Sequence, residues 1–518
     1  MKKTFYKITF ITALCGLVFS SCTKDFQEMN TDPNNVPSAS PQQLLAPALV
    51  NTLSYNMIRN RNFNNELMQV TVNLSEAEGQ VFRYDYRSNW SDYLYNGLYL
   101  ELNNFKDLYK IASDSSGVYY NRSYMAISLI CQSWIYSILT DTYGDIPYSQ
   151  ALQGQDSLNF EPRFDAQKNI YLDIFKRLEL ANTLLSTSPV ATVVGGSDPI
   201  YNGNTSLWRK FGNSLYLRLL MRVSGKAEVA NDVTAKIKDI VDLRPSTYPV
   251  FASNAESAIL KWTGTAPYIS PYATVREQDF RQPGLASFFL QNLVSWRDPR
   301  IDIPTYGSGG FNRWGIAPYQ GAYLGVPSGY APGTNQVKKS YFYSNTSAVS
   351  LQTEPMTGMI MNYAELKFIL AEAASKGWIN GSAETFYNDG VLNSITLWLP
   401  NWTTIINTQT GLPNDINTYI AAADIQFSSA TTLDQKMERI HLQKYYALFL
   451  EDMQQWFEYR RTGHPNLPKE AGLRNNGEMP ARMVYPVYLQ STNPTNYKLA
   501  VAAQGPDLIS TPVWWQKP

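Results

Sequence analysis

Apolar positions fall at helical spacing over most of the chain, most clearly from 357 to 390. There Leu366, Ile369, Leu370, Ala373 and Ala374 occupy i, i+3, i+4, i+7 and i+8, one apolar stripe of a helix. Small side chains at Ala371, Ala373 and Ala374 let a neighbouring helix approach closely. Gly377 offers a C-terminal stop, because it takes positive φ without strain. Ser382 offers an N-cap for a second helix, whose apolar face begins at Ala383, Phe386 and Tyr387. Two helices joined by so short a turn pack antiparallel. One hairpin cannot bury its own apolar face, so the pattern predicts a stack of tetratricopeptide-like hairpins.

The same period recurs elsewhere. Residues 42–112 read as mostly helical, with Tyr93, Leu98, Leu102 and Leu108 on one side of the later part. A helix from Tyr119 to Thr140 is rich in Ile, Leu and Ala and stops near Gly144 and Pro147. Ile170, Ile174, Leu178, Ala181 and Leu185 form a third stripe, and Trp208, Phe211, Leu215 and Leu219 a fourth. A short helix follows near 226–240, and a long one over 434–461 ends at Gly463 and Pro465. Between about 245 and 356 the pattern dissolves into Pro, Gly, Ser and Tyr. Asp302–Gly333 interleaves glycines with Tyr306, Phe311, Trp314, Tyr319, Tyr323 and Tyr330, and its only charges are Asp302 and Arg313. So long an irregular segment is often functional. Flat sugar faces stack on Trp and Tyr, so at least two of these aromatics are expected at a surface site and the rest against the helical body. The fold class is therefore mainly α, with a large irregular ligand-facing portion.

Charge and composition narrow the chemistry. The 518 residues carry 43 basic and 43 acidic side chains, so no basic excess points to nucleic acid. His441 and His464 are the only histidines, which excludes a histidine-rich zinc site, and both are expected to be structural. Cys131 sits in an apolar run and is expected to be a small buried hydrophobe. Arg218 and Arg222, four apart on one helix, face either an anionic ligand or, as we expect, solvent or ion-pair partners. Asp141 and Asp145 are expected to cap helices or turns, and Trp514 with Trp515 to clasp the core. No nucleophile elbow, Cys–His pair or phosphate-cradling loop is present.

The N-terminus is an address. Lys2, Lys3 and Lys7 precede an apolar run from Ile8 to Phe19, too short to span a bilayer and typical of a secretory signal. Phe19, Ser20, Ser21 and Cys22 look like a bacterial lipobox, in which Cys22 becomes the acylated first residue of the mature protein. This predicts a signal peptide over 1–21, a lipidated tether over 22–41 and one domain over 42–518, anchored to the lipid bilayer without a spanning helix. Lys24, Asp25 and Glu28 resemble the short charged signals that send lipoproteins of Bacteroidota to the outer face of the outer membrane.

Taken together, DTYGDIPYSQAL at 141, FDAQKNIYLDIFKRLELA at 164, YNGNTSLWRKFGNSLYLRLLMR at 201, WRDPR at 296, NYAELKFILAEAASKGW at 362 and LQKYYALFLEDMQQWFEYRRTGHP at 442 resemble the SusD/RagB family of Bacteroidota outer-membrane lipoproteins, in its SusD-like branch. The resemblance implies four tetratricopeptide-like hairpins and capture of a surface glycan without covalent chemistry. It also implies delivery of the oligosaccharide or polysaccharide to a SusC-like TonB-dependent barrel transporter. It points to Trp90 and Trp314 as aromatic ligand contacts, with Tyr86, Tyr319, Tyr323 and Arg83 as companions. Other readings are a peptide-binding lipoprotein of the same transporter type, a scaffold of the barrel complex that touches no ligand, and a helical glycoside hydrolase, which would need two close carboxylates deep in an aromatic cleft. No cofactor is expected. Calcium at 410–415 is an open possibility that no EF-hand spacing supports.

Overall fold

The computed structural model describes residues 39–302, 309–407 and 411–517. The expected signal peptide, Cys22, the expected tether up to residue 38 and Tyr306 lie outside them. Among the described residues the helices of nine or more residues are α1 (Pro41–Arg59), α2 (Asn89–Ser113), α3 (Arg122–Tyr143), α4 (Gln167–Ser186), α5 (Thr205–Val223), α6 (Ala230–Lys238), α7 (Ser287–Ser295), α8 (Tyr363–Ser375), α9 (Ala383–Trp398), α10 (Leu433–Ala447), α11 (Gln454–Thr462) and α12 (Pro494–Gln504). None is long and apolar enough to cross a membrane.

Successive helices pack on one another from α1 to α6. The array then continues from α5 to α8, from α8 to α9, and from both of these to α10. The fold is thus mainly α and built from helical hairpins. The hairpin anticipated at 357–390 is α8–α9. Asn362 caps α8 by accepting from Glu365 N, Gly377 takes φ +71° just past its end, and Ser382 accepts from Thr385 N at the start of α9. Helix α3 is buried on all sides from Ala126 to Tyr143, which makes it the central helix of the first hairpins. It ends at Gly144, whose φ of +82° is strained for any other residue, and a Cβ there would lie 1.7 Å from Gln504 Oε1.

Short antiparallel strand pairs tie the irregular segments to this body. They are β1 (Thr71–Val72) with β5 (Gly284–Leu285), β2 (Ile146–Pro147) with β3 (Phe164–Asp165), β4 (Ala258–Leu260) with β8 (Gly358–Met361), and β6 (Ile316–Ala317) with β7 (Tyr341–Phe342). The β1–β5 pair sets Thr71 opposite Leu285 and so draws the segment before α7 against the chain after α1.

The helix expected over 434–461 is broken. Residues 448–453 leave helical geometry between α10 and α11, with φ of +76° at Leu450 and +21° at Asp452. The reason is tertiary. Glu451 turns inward to Arg218, 3.0 Å away, and accepts from the backbone N–H of Asn362 at 3.0 Å. Asp452 meets the Trp134 indole N–H at 3.4 Å, and its carbonyl accepts from Asn60 Nδ2 at 2.7 Å.

Arg218 also donates to Glu365 through Nε at 2.8 Å. Arg222 lies 3.4 Å from Asp141 and 3.2 Å from Glu458. Both arginines are buried, so they serve ion pairs inside the fold and face neither ligand nor solvent. Asp141 also accepts from Tyr171 and Trp515, at 2.7 and 2.8 Å, which makes it an anchor for the C-terminal clasp. Asp145 does cap, accepting from Gln167 N at 2.8 Å at the start of α4. Cys131 is buried and free.

Removing Arg218 strands two buried carboxylates. Arg218→Met is expected to lower the unfolding free energy by about 3–5 kcal/mol in urea titrations, and R218M/E365Q/E451Q to recover most of it. A loss below about 1 kcal/mol for the single variant would refute the role given to this cluster.

Candidate functional site

After Arg59 the helical path of α1 widens into a π turn, Asn60–Asn64, a form often found at functional sites. The turn points Asn60 and Asn64 inward. Asn60 reaches the Asp452 carbonyl, Asn64 Nδ2 donates to Gln455 Oε1 at 2.8 Å, and Asn64 Oδ1 accepts from Trp456 N at 3.2 Å. Arg61 and Asn62, half-buried, then face a cavity of about 300 Å³. The rest of its wall comes from Glu66, from Asn73, Gln80 and Val81 beyond β1, from Asp279, Gln282 and Pro283 before β5, and from Trp90 at the second position of α2.

Trp90 is half-buried and fixed from behind. The Arg59 guanidinium lies 4.9 Å from its ring centroid and 4.7 Å from that of Tyr93, and Arg59 Nη2 donates to the Trp90 carbonyl at 3.1 Å. The Phe63 ring leans on Trp90 at 5.7 Å. An indole held in this way has little side-chain freedom left to lose.

The charged groups of the wall are muted. Burial pushes the Glu66 carboxyl up to about 8, against the opposing pull of the Phe82 N–H and Arg61. Burial also lowers Arg61, although Tyr272, Glu66 and Asp279 partly offset it. The Asp279 carboxylate accepts from Arg276 Nε at 2.7 Å. At neutral pH the cleft therefore offers one aromatic residue, several amides, a protonated carboxyl, one guanidinium and the Asp279 carboxylate paired with Arg276.

The other expected contacts do not gather here. Trp314 is fully buried, 5.9 Å from Phe289, 5.9 Å from Trp398 and 5.1 Å from Phe449, with Arg300 4.6 Å over its ring. It is a core residue with no face for a sugar, so the expectation of a stacking contact there is corrected. Tyr86 is buried behind Trp90, edge-on to Phe63 at 4.8 Å, and its hydroxyl donates to the Arg482 carbonyl at 2.6 Å. Arg83 is buried under Tyr330, donating from Nε to its carbonyl at 2.9 Å. Both support the wall without lining the cavity. Tyr319, half-buried, closes a tight turn with Ala322 through backbone bonds of 2.8 and 3.1 Å. Tyr323 accepts from Asn312 at 2.7 Å and lines a different cavity, of about 370 Å³, with Leu293, Arg297, Asp298 and Ile301. Arg61, Asn62, Asn73, Gln80, Asp279 and Gln282 were missed by sequence reasoning. Arg61 and Asn62 had one signal, the polar run NRNFNNE at 60–66, where an apolar stripe was due, and the other four had none.

Among the described residues, Glu372, His441 and Glu458 bring potential metal-ligand atoms within 4.8 Å of one another. Cations already fill the space between them. Arg461 lies 2.6 Å from Glu372 and 2.9 Å from Glu458, Lys376 lies 2.6 Å from Glu372, and Lys444 lies 2.8 Å from Glu458. Although burial opposes it, Arg461 and Lys376 hold Glu372 well below the usual carboxylate range, and Arg461 and Lys444 do the same for Glu458. This is an ion-pair core. In the 410–415 loop, Asp415 caps the short helix Ile416–Ala422 by accepting from Thr418 N at 2.8 Å, and Asn414 donates to the Trp402 carbonyl at 2.9 Å; residue 410 lies outside the described residues.

Comparison with known proteins agrees with this architecture. Residues 33–486 match the SusD-like family described as starch-binding and associating with the outer membrane. Among solved structures, a SusD homolog from Bacteroides fragilis is 25% identical, with a TM-score of 0.74 over 93% of this chain and 100% of that one. A chitin-binding SusD homolog from Flavobacterium johnsoniae is 22% identical, with a TM-score of 0.73 over 92% and 98%. A SusD homolog from Bacteroides uniformis is 22% identical, with a TM-score of 0.72 over 92% and 99%. No curated protein matches the sequence. With its hairpin array and a family match across nearly the whole described region, the chain belongs to the SusD-like family of outer-membrane proteins.

Proposed function

We propose that this protein captures a neutral oligosaccharide or polysaccharide in the Trp90 cleft and passes it to a SusC-like TonB-dependent barrel transporter, while an acylated Cys22 holds it at the outer face of the outer membrane. The observation that carries this reading is the wall of the cleft. A rigid indole faces a ring of amides, namely Asn62, Asn73, Gln80 and Gln282, with Arg61 among them. Sugar rings offer apolar C–H faces to the indole and hydroxyls to the amides.

SusD-like proteins are binders and not enzymes. Glu66 and Asp279 do place two carboxyls on one cavity wall, as a glycosidase would require. The Asp279 carboxylate is engaged by Arg276, and Glu66 is sunk into the wall beside the Phe82 N–H, which fits a structural role for each.

The detergent-solubilised full chain, run through native gels containing plant, microbial and host polysaccharides, is expected to be retarded by one class without reducing-end release. Trp90→Ala should weaken that retardation about tenfold, which corresponds to about 1.4 kcal/mol, and lower the melting temperature less than the loss of a fully buried Trp does. Trp314→Ala should instead cost about 3–5 kcal/mol of stability, as an emptied core site does. Retardation that survives Trp90→Ala refutes the assigned cleft, and cleavage refutes the binding role.

Glu66 gives a pH signature. Its native value of about 8 lies above the roughly 4.3 of an unfolded Glu. The native state therefore binds more protons between these values, and stability falls as pH rises through that window. Glu66→Gln is expected to melt higher than the parent at pH 8, by on the order of 3 kcal/mol, and to lose this advantage near pH 4. Parallel melting curves for parent and variant across that range would refute the assignment.

A further inference from the structure

Behind the Trp90 cleft lies a second, enclosed chamber of about 30 Å³. Arg61 and Pro283 line both spaces and so form the wall between them. The apolar lining of the chamber includes Phe342, Leu351 and Phe449. Its polar lining, besides Arg61, is Asn65, Thr71 and Tyr272, which are only 3, 5 and 2% exposed.

Asn65 Oδ1, Thr71 Oγ1 and the Tyr272 hydroxyl have no hydrogen-bond partner in the protein. Buried polar atoms are seldom left unpaired, because each such atom costs free energy. Burial holds the Tyr272 phenol protonated against the pull of Arg61, so its hydroxyl has a proton to give, as does that of Thr71. Turned over, the Asn65 amide presents Nδ2, which donates too.

The charge in the lining is one-sided. It holds a guanidinium and no carboxylate. Arg61 sits 5.3 Å over the Phe280 ring and donates to the Asp279 carbonyl, and among the described residues no carboxylate reaches it at ion-pair distance. Glu66 and Asp279 act on it from further off. Burial pushes Glu66 up to about 8, and the Asp279 carboxylate is engaged by Arg276 at 2.7 Å. A guanidinium partly withdrawn from water without a counter-charge costs free energy that neutral water recovers only in part.

Size then selects the counter-charge. The chamber has room for about two water molecules, too little for acetate or sulfate. A halide is little larger than one water, accepts hydrogen bonds from any direction and tolerates apolar neighbours. A metal cation would be repelled by Arg61. We propose that this chamber is a chloride site, in which Arg61, Thr71, Tyr272 and the Nδ2 of a turned Asn65 hold the ion. The ion balances Arg61 from behind. The side of Arg61 that meets the cleft is then closer to neutral, as an uncharged ligand needs, and that consequence alone rests on the Trp90 cleft being the glycan site.

The test uses the detergent-solubilised full chain. Crystals grown in sodium bromide are expected to show an anomalous peak in the chamber, within hydrogen-bonding distance of Arg61, Thr71 Oγ1 and the Tyr272 hydroxyl. In solution the melting temperature should rise by about 1–2 °C for each tenfold increase in chloride above half-saturation, with sodium acetate keeping the ionic strength constant. Thr71→Val and Tyr272→Phe keep side-chain volume nearly constant. The double variant should lose both the bromide peak and the chloride dependence, with folding checked by circular dichroism. A chamber filled by water alone, or a chloride dependence that survives the double variant, would overturn the proposal. A bromide peak without any chloride dependence of melting would mark an adventitious ion only, and would overturn it as well. Polysaccharide gels read the cleft and not the chamber, so either reading can fail alone.

Discussion

Arg218 is a cation with almost no exposed surface, and much of the fold is arranged to answer it. Taking a guanidinium out of water costs several kcal/mol unless carboxylates and carbonyls are brought to it. Helix α8 supplies Glu365, and the chain between α10 and α11 supplies Glu451 at the expense of helical geometry. Two carboxylates face one guanidinium here. Burial, reinforced by the nearby Glu365, pushes Glu451 well above its ordinary value, and Arg218 opposes that shift. Glu451 also accepts from the backbone of Asn362, the residue that caps α8. The hairpin that organises the second half of the chain is thereby fastened to the break.

The break in turn shapes the proposed binding surface. Its Asp452 carbonyl and the following Gln455 hold the two inward asparagines of the π turn, and that turn is why Arg61 and Asn62 come out on the cleft side. Arg59 and Phe63, from the same stretch, lock the Trp90 ring. Arg61, Asn62 and Trp90 are thus supported by packed neighbours, which is the condition for a precise site. A loosened ion cluster would be felt first at residues 448–453 and then, through Asn60 and Asn64, at Arg61.

The hairpins were legible because their period, caps and stops are local. Gly377, Ser382 and Gly144 stand where helix chemistry needs them, and α8, α9 and α3 begin and end accordingly. The α10–α11 break was not legible, since no glycine or proline marks it and its cause is an arginine more than two hundred positions earlier. The cleft was half legible. Trp90 could be picked out by resemblance, but Trp314 looked equally suitable in sequence, set among glycines and tyrosines. What separates them is which ring faces Phe289 and Phe449 and which faces open space, and that depends on long-range packing. The amides of the wall come from separate segments joined by β1–β5, a two-residue ladder with no pattern strong enough to predict.

The electrostatics of the cleft bear on the class of ligand more than any single contact does. The chain is rich in charge, yet its strongest charges are spent inside, on Arg218, Arg222, Arg461 and their carboxylates. In the cleft, Glu66 is protonated at neutral pH, Asp279 is engaged by Arg276, and Arg61 already donates to a backbone carbonyl. A cationic polymer would meet Arg61 and could reach the Asp279 carboxylate only in competition with Arg276. An anionic one would share Arg61 with the Asp279 carbonyl and would meet acceptor oxygens as well as donors on the surrounding amides. An uncharged polymer with many hydroxyls escapes both costs and uses every group of the wall, since amides and a protonated carboxyl each donate and accept. A wall of this kind discriminates against charge by leaving it unpaired, which is how a polar site rejects the wrong ligand most strongly.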